Sequence, residues 1–349
     1  MSYSVKMSEM QKGIYYECCT GHHLDYNISV SLEMANCLDI EKFEYAVNFA
    51  AAEQEALSMS VNSVDELSMI VNDDVYVPVR TVYSKTEAET EAIVSEIYST
   101  PFDLFKAPLL SVNYIKAEES RDILVLSMHH MISDGISLDL FVKRLFSLYD
   151  ALVKNESPEV NFKSNKTFSN FIERENRKLE NGDYSLEKEY WTNLTKGISS
   201  PEIIRNLSES NQVIEEKNNC GEINILLGKD LYARSQDCAR TLEVSEYMFH
   251  LAVFMATISL VTDKEKFAVS SPFTFRETEE DEQAVGCYIY YYPLVYQFKS
   301  STSFSSVIGK IRDEIWEGYL NIGYPNNLIA REWDNALSDD TVFDYSYIY

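Results

Sequence analysis

Positive charge is scarce in this chain. Lys and Arg total 30 against 56 Asp and Glu, so 349 residues carry a net charge of −26. Such a chain is repelled by nucleic acid and by anionic membrane surfaces, which leaves neither as an expected partner. Cysteine pairs at ligand spacing are also missing. The six cysteines stand at 18, 19, 37, 220, 238 and 287, with no CxxC among them. That excludes a disulfide framework and a zinc site, and the expectation is buried free thiols in a reducing cytoplasm. No apolar targeting segment opens the chain, which begins MSYSVKMSEMQKGIYY. The most apolar stretch, Tyr247–Val261, contains His250 and falls short of the ~18–20 residues of a membrane span. It reads as a buried core helix of a cytoplasmic protein. There is no 20–50-residue repeat, no Pro- or Gly-rich tract, no HExxH, no GxxxxGK[ST] and no Rossmann glycine pattern. Solenoids, zinc proteases, P-loop enzymes and dinucleotide-binding enzymes are therefore set aside, and neither a metal nor a resident cofactor is expected.

What is present is a globular composition. Apolar residues make up 45%, and 349 residues suffice for about two lobes with a sizeable core. Helical and strand periods alternate irregularly, as in a mixed-sheet α/β chain. Ser8–Tyr16 reads as a helix, and Ile28, Val30, Leu32 and Met34 alternate with polar residues as in a half-buried strand. Asp39 is placed to cap a helix carrying Ile40, Phe43, Val47, Ala50 and Leu57. Val75–Val82 reads as a strand kept at an edge by Pro78, and Glu87–Tyr98 as a helix. Leu109–Ile115 and Ile123–Met128 form a hairpin across KAEESRD. The next helix presents Leu138, Phe141, Leu145, Leu148 and Leu152 on one face.

Asn155–Thr167, polar and containing Pro158, reads as the connection between a first lobe, 1–160, and a second, 161–349. The second lobe is expected to hold helices at Phe168–Leu179, Leu186–Leu194, Lys229–Arg240, Ser245–Val261 and Phe304–Tyr319. Its strands are expected at Ile223–Leu227, Phe267–Ser271, Tyr288–Phe298 and Val342–Tyr349, with Glu277–Glu282 as a solvated acidic loop. Ending on an apolar strand suggests a lobe cut short of its natural end.

Four of the five histidines form two adjacent pairs. His22-His23 lies in a polar stretch and reads as a solvated loop. His129-His130 follows the buried run ILVLSM and precedes an amphipathic helix, so it sits where a strand emerges into a loop. Adjacent strand residues point to opposite faces, so one histidine can enter a cavity while the other packs behind. Asp134 and the permissive Gly135 follow within one turn.

His129-His130-Met131-Ile132-Ser133-Asp134-Gly135 is an HHxxxDG sequence. It resembles the signature of the condensation domains of nonribosomal peptide synthetases, within the chloramphenicol acetyltransferase-like superfamily. Further similarities follow in order along the chain: Ser8 to Gln11 with the opening SxxQ helix, Pro101-Phe102-Asp103-Leu104 with Pro108-Leu109-Leu110, Glu189-Tyr190-Trp191, Ser271 to Arg276 with a PxxxR segment, and Gly286-Cys287-Tyr288-Ile289 with Pro293-Leu294. Two departures stand out. An RHExLR-like motif reads Glu53 to Ser58 here, and Tyr290 stands where the family has Asn. The family's domain also continues well beyond the position of Tyr349.

The resemblance implies two acetyltransferase-like lobes forming a V-shaped pseudo-dimer with a tunnel between them. It implies donor and acceptor peptidyl carrier proteins as partners, with substrates on phosphopantetheine arms and no bound cofactor. The implied reaction is amide formation between a carrier-bound acyl or peptidyl thioester and a carrier-bound aminoacyl group. The chain would be a monomer or one domain of a larger multidomain synthetase. Two alternatives remain: an acyltransferase acting on a free amine or alcohol, and a non-catalytic domain that recruits a carrier or partner. His130 matches the motif's reactive histidine, as base or as positioner. Gly135 would offer its N–H to an oxyanion or leave room for the arm. His129 is read as structural, and Asp134 as paired with an arginine, Arg276. Ser133 and Tyr290 are candidates for contact with substrate in the tunnel.

Overall fold

Local sequence accounts for most of the helix starts. Ser8 opens a capping box: its hydroxyl accepts the Gln11 N–H at 3.1 Å, and Gln11 Oε1 accepts the Ser8 N–H at 3.0 Å. That satisfies two of the donors any helix leaves unpaired at its start. Asp39, Thr86, Asp134, Ser245 and Ser303 cap later helices through a side-chain oxygen in the same way. The structure is a computed structural model, and it describes residues 2–157, 166–198, 225–299, 301–332 and 346–348.

The first half of the chain runs β1 (Tyr3–Lys6), α1 (Glu9–Cys19), β2 (Asn27–Glu33), α2 (Ile40–Ala52), β3 (Met59–Ser63), β4 (Ser68–Val71), β5 (Val79–Ser84), α3 (Glu87–Tyr98), β6 (Leu110–Ala117), β7 (Ile123–His129), α4 (Gly135–Val153) and α5 (Thr167–Asn181). Four strands form one sheet in the order β2-β7-β6-β5. β7 lies inside it, antiparallel to β2 and β6, and is buried from Leu124 to His129. A strand covered on both faces needs no polar alternation, hence the continuous ILVL run. β5 is parallel to β6, with α3 as the crossover that parallel pairing requires. It starts directly after Pro78 and takes the sheet edge, where a missing N–H costs no ladder bond. β1, β4 and β3 make a second, three-stranded sheet.

Two compact units emerge: Met1–Asp183 with Thr274–Ile289, and Tyr184–Phe273 with Tyr290–Tyr349. The first unit thus takes in the chain up to Asp183 together with a later stretch, Thr274–Ile289. Polar contacts fasten α5 to the first unit: the Ser169 N–H donates to Glu55 at 2.9 Å, and Glu175 accepts the Glu9 N–H at 2.7 Å. Residues 158–165, most of the expected connection, lie outside the described residues.

The second unit contains α6 (Ser185–Thr195), α7 (Lys229–Thr241), α8 (Glu246–Thr262), the paired strands β8 (Lys266–Thr274) and β9 (Ile289–Gln297), and α9 (Phe304–Leu320). Its core is aromatic. Trp191 stacks on Tyr292 with centroids 4.6 Å apart and donates its indole N–H to the Asn321 carbonyl at 2.9 Å. Along β9, buried Tyr290 and Tyr292 alternate with part-buried Ile289 and Tyr291.

Three expectations need correction here. Among the described residues α8 is covered on one face: Leu251, Ala252, Met255 and Ile258 are buried, whereas Leu260 is 85% exposed. Of the described cysteines only Cys18 and Cys287 are buried, while Cys19, Cys37 and Cys238 are exposed. The expected strand Ile223–Leu227 begins outside the described residues and has no regular structure from Ile225 on. Likewise Val342–Tyr349 is described only at 346–348, where Ser346 bridges Ser270 in parallel. Among the described residues no single helix is long and apolar enough to cross a membrane.

Gly286 is the tightest glycine in the first unit. A Cβ there would stand 2.6 Å from Tyr288 Cε2 and 2.8 Å from Phe168 Cγ. Both rings are buried, so neither gives way freely. Gly286→Ala is therefore expected to lower stability by roughly 1–3 kcal/mol, the usual cost of overpacking, measured by thermal or denaturant unfolding.

Candidate active site

β7 carries the histidine pair to the end of the sheet. His129 is its last residue, held by a 3.0 Å bond from its N–H to the Leu109 carbonyl. The His130 N–H donates to the Tyr26 carbonyl at 2.8 Å. The loop then turns through Ile132 and Ser133 into α4, whose first residue is Gly135.

The two rings differ in surroundings. His129 is buried, with Phe102 edge-on at 6.1 Å between centroids. Burial pushes its pKa down to about 4, and the neighbouring His130 adds to this, so it is neutral at physiological pH. His130 is part-buried, and burial also holds it below its ordinary value. The Ser133 carbonyl and the Asp134 charge offset that shift in part. His130 Nδ1 lies 3.1 Å from the Ser133 carbonyl oxygen, which can only accept. In the neutral ring Nδ1 therefore carries the proton and Nε2 the lone pair.

Asp134 is buried and fully engaged. Oδ1 accepts the Ser137 N–H at 2.7 Å and Arg276 Nη2 at 2.9 Å. Oδ2 accepts Arg276 Nη2 at 3.0 Å and the Tyr288 N–H at 3.1 Å. Arg276 lies over the Tyr288 ring at 4.2 Å and gives Nη1 to the Ala284 carbonyl at 2.7 Å and to that of Asp281. Ser133 is fully buried, and its hydroxyl donates to the His129 carbonyl at 3.0 Å. His129, His130, Ser133, Asp134, Gly135 and Arg276 thus lie together in the first unit. Tyr290 belongs to the second, buried on β9 with its ring 6.2 Å from that of Tyr292.

Gly135 is exposed, and its φ lies outside the left-handed region. A Cβ there would meet nothing within 4 Å. The position needs no glycine for its backbone, so Gly135→Ala should leave the unfolding free energy within about 0.5 kcal/mol of the parent's, as at ordinary surface sites. Circular dichroism melting checks this.

Several participants escaped the sequence reading. Glu277–Glu282 is not a solvated loop. Thr278 and Asp281 form a capping box over a short helix, Glu279–Glu282. Asp281 is fully buried and takes Arg174 Nη2 at 2.5 Å, while Glu277 binds Arg174 Nε at 3.1 Å and Lys178 Nζ at 2.6 Å. Gln11 reaches the loop as well, donating Nε2 to the Met131 carbonyl at 2.8 Å. No cluster of three or more metal-ligating side chains occurs among the described residues.

Comparison with known proteins now decides the family. A family model described as "Condensation domain" matches residues 1–349. The chain belongs to the condensation-domain family of nonribosomal peptide synthetases. This condensation domain is 24% identical over 347 residues to bacitracin synthase 1 of Bacillus licheniformis, covering 99% of this chain and 6% of that protein. It is 27% identical over 347 residues to gramicidin S synthase 2 of Aneurinibacillus migulanus, covering 98% and 8%. The condensation domain thus spans less than a tenth of the length of these curated relatives. Among solved structures, the first condensation domain of the calcium-dependent antibiotic synthetase, in complex with a substrate analogue, is similar at a TM-score of 0.80 and 16% identity, over 99% of this chain and 80% of that one. The X-domain from teicoplanin biosynthesis is similar at a TM-score of 0.81 and 17% identity, over 98% and 76%. The fold is the α/β, chloramphenicol acetyltransferase-like fold of condensation domains, whose chemistry in these synthetases is acyl transfer to an amine.

Proposed function

We propose that this domain joins an acyl or peptidyl thioester on one carrier protein to the amine of an aminoacyl group on a second, with His130 and Gly135 at the reacting atoms. Both substrates would ride on phosphopantetheine arms, and the domain would work within a larger synthetase in the cytoplasm. The observation that carries the reading is the His130 ring. Its proton is held at Nδ1 by the Ser133 carbonyl, leaving a part-buried Nε2 lone pair directly before the start of α4.

The acceptor amine attacks the thioester carbonyl carbon, and the new C–N bond forms as the carbonyl oxygen takes negative charge. His130 Nε2 accepts the amine proton, and the imidazolium passes it to the departing thiolate as the C–S bond breaks. Asp134 accepts the Ser137 N–H, and its carbonyl accepts that of Leu138. Gly135, one residue beyond Asp134, supplies an N–H at the positive end of a 19-residue helix, suited to an oxyanion. His129, Asp134 and Arg276 hold the loop. A thioester is already activated, so orientation and one proton acceptor suffice.

The test is incubation with one acyl-loaded and one aminoacyl-loaded carrier protein, read by intact mass. The expected result is an acceptor carrier heavier by the acyl group and a donor returned to its free thiol. Transfer to a free amine or alcohol without the acceptor carrier would move the reading to a stand-alone acyltransferase. No transfer to any acceptor would overturn it.

A further inference from the structure

We infer that the two adjacent histidines are locked in opposite tautomers, with Cys18 of α1 as the positioning residue that receives the His129 Nε2–H. His129 Nδ1 lies 3.2 Å from the Met131 backbone nitrogen, whose N–H can only donate. Nδ1 is therefore an acceptor, and the single proton of a neutral imidazole must sit on Nε2. That nitrogen faces Cys18 Sγ at 3.8 Å, within reach of a sulfur acceptor. Cys18 is 1% exposed, and burial raises its thiol to about 11, so the sulfur stays an uncharged acceptor. His130 has the reverse arrangement, with Nδ1–H on the Ser133 carbonyl at 3.1 Å.

α1 thereby holds the loop twice. Gln11 grips the Met131 carbonyl at 2.8 Å, and Cys18 grips the ring to which the Met131 N–H is bonded. Tyr26 flanks both imidazoles, with centroids 6.4 Å and 6.3 Å away. With both of its nitrogens engaged and its charge suppressed, His129 neither relays nor competes for the reaction proton. His130 Nε2 is left as the acceptor. The link to catalysis rests on the function proposed above, whereas the tautomers themselves can be read without any substrate.

The experiment is a long-range 1H–15N correlation spectrum of the intact domain labelled at histidine nitrogens. Changing His22, His23 and His250 to Gln leaves only the pair, and His130→Ala then tells the two apart. The expected spectrum shows His129 as Nε2–H and His130 as Nδ1–H. In Cys18→Ala the His129 Nε2–H should exchange faster with water. The condensation kcat should fall roughly 2- to 10-fold, the range of one lost hydrogen bond, at unchanged KM. Cys18→Ser, which keeps an acceptor, should restore both. A wild-type His129 found as Nδ1–H or charged overturns the inference, as does a Cys18→Ala variant with unchanged exchange and kcat. If Cys18→Ala does not fold, the wild-type spectrum still decides. Correct tautomers in a domain that transfers no acyl group would sink the proposed function and leave this assignment standing.

Discussion

His130→Ala should lower amide formation by ~10²–10⁴-fold, the usual contribution of a positioned general base, while the unfolding midpoint stays put. The two effects separate because of how the residue is held. The His130 backbone N–H, bonded to the Tyr26 carbonyl, survives the substitution. The ring is only part-buried, so its removal opens no sealed cavity. The Ser133 carbonyl loses the one donor that the imidazole Nδ1 supplied. What goes is the Nε2 lone pair. The remaining rate reports orientation alone, which can supply several of the ~7–11 kcal/mol available from holding two reactants together. The pH profile adds a second check. The proposed mechanism requires the neutral ring, so activity should rise with pH through the His130 pKa. Burial holds that value below the ordinary histidine value of 6.5. The His130 limb of the profile should therefore lie below 6.5 and be absent in His130→Ala, whereas the limb set by protonation of the acceptor amine remains. An unchanged single-turnover rate in the variant would leave only tethering as the source of rate.

The parts of the molecule that were legible in sequence are those governed by neighbours along the chain. Ser8 and Asp39 announce helix starts because a cap bonds to N–H groups two or three residues away. The β6–β7 hairpin shows as two apolar runs around KAEESRD. The strand expected at Tyr288–Phe298 appears as β9, with Tyr290 and Tyr292 buried on one face. The misread parts depend on distant partners. Glu277 and Asp281 look like solvated charge until Arg174 and Lys178, about 100 positions earlier, are brought beside them. Glu175 sits in a helix that reads as charged, yet it is buried against the start of α1, and burial lifts its carboxyl to about 7. β1, β3 and β4 run for only four or five residues, too short for a period to declare itself. At the candidate site, the histidines and Asp134 were legible through their motif. Cys18 was not, nor was the grip of the motif residue Gln11 on Met131, because these contacts join α1 to a loop more than 100 residues away.

The other large effect concerns Asp134, and it should appear in stability as much as in rate. Asp134→Ala strips the carboxylate from Arg276, whose side chain is 4% exposed, and leaves a guanidinium uncompensated in the interior. Breaking one side of a buried pair costs ~3–5 kcal/mol. The same substitution removes the α4 N-cap at Ser137 and the acceptor of the Tyr288 N–H. At roughly 2–4 °C per kcal/mol for a unit of this size, the melting midpoint should drop by about 10 °C. Activity should fall with it, because the loop that carries His130 loses its anchor to residues 276–288. Asp134→Asn separates charge from shape: it can still accept the Ser137 N–H, so it should retain the cap while losing the ion pair. Arg276→Met in the Asp134→Asn background should then recover part of the loss, since no unpaired guanidinium remains. A stable but inactive Asp134→Ala would instead give Asp134 a direct part in the chemistry, in conflict with four contacts that leave its oxygens occupied.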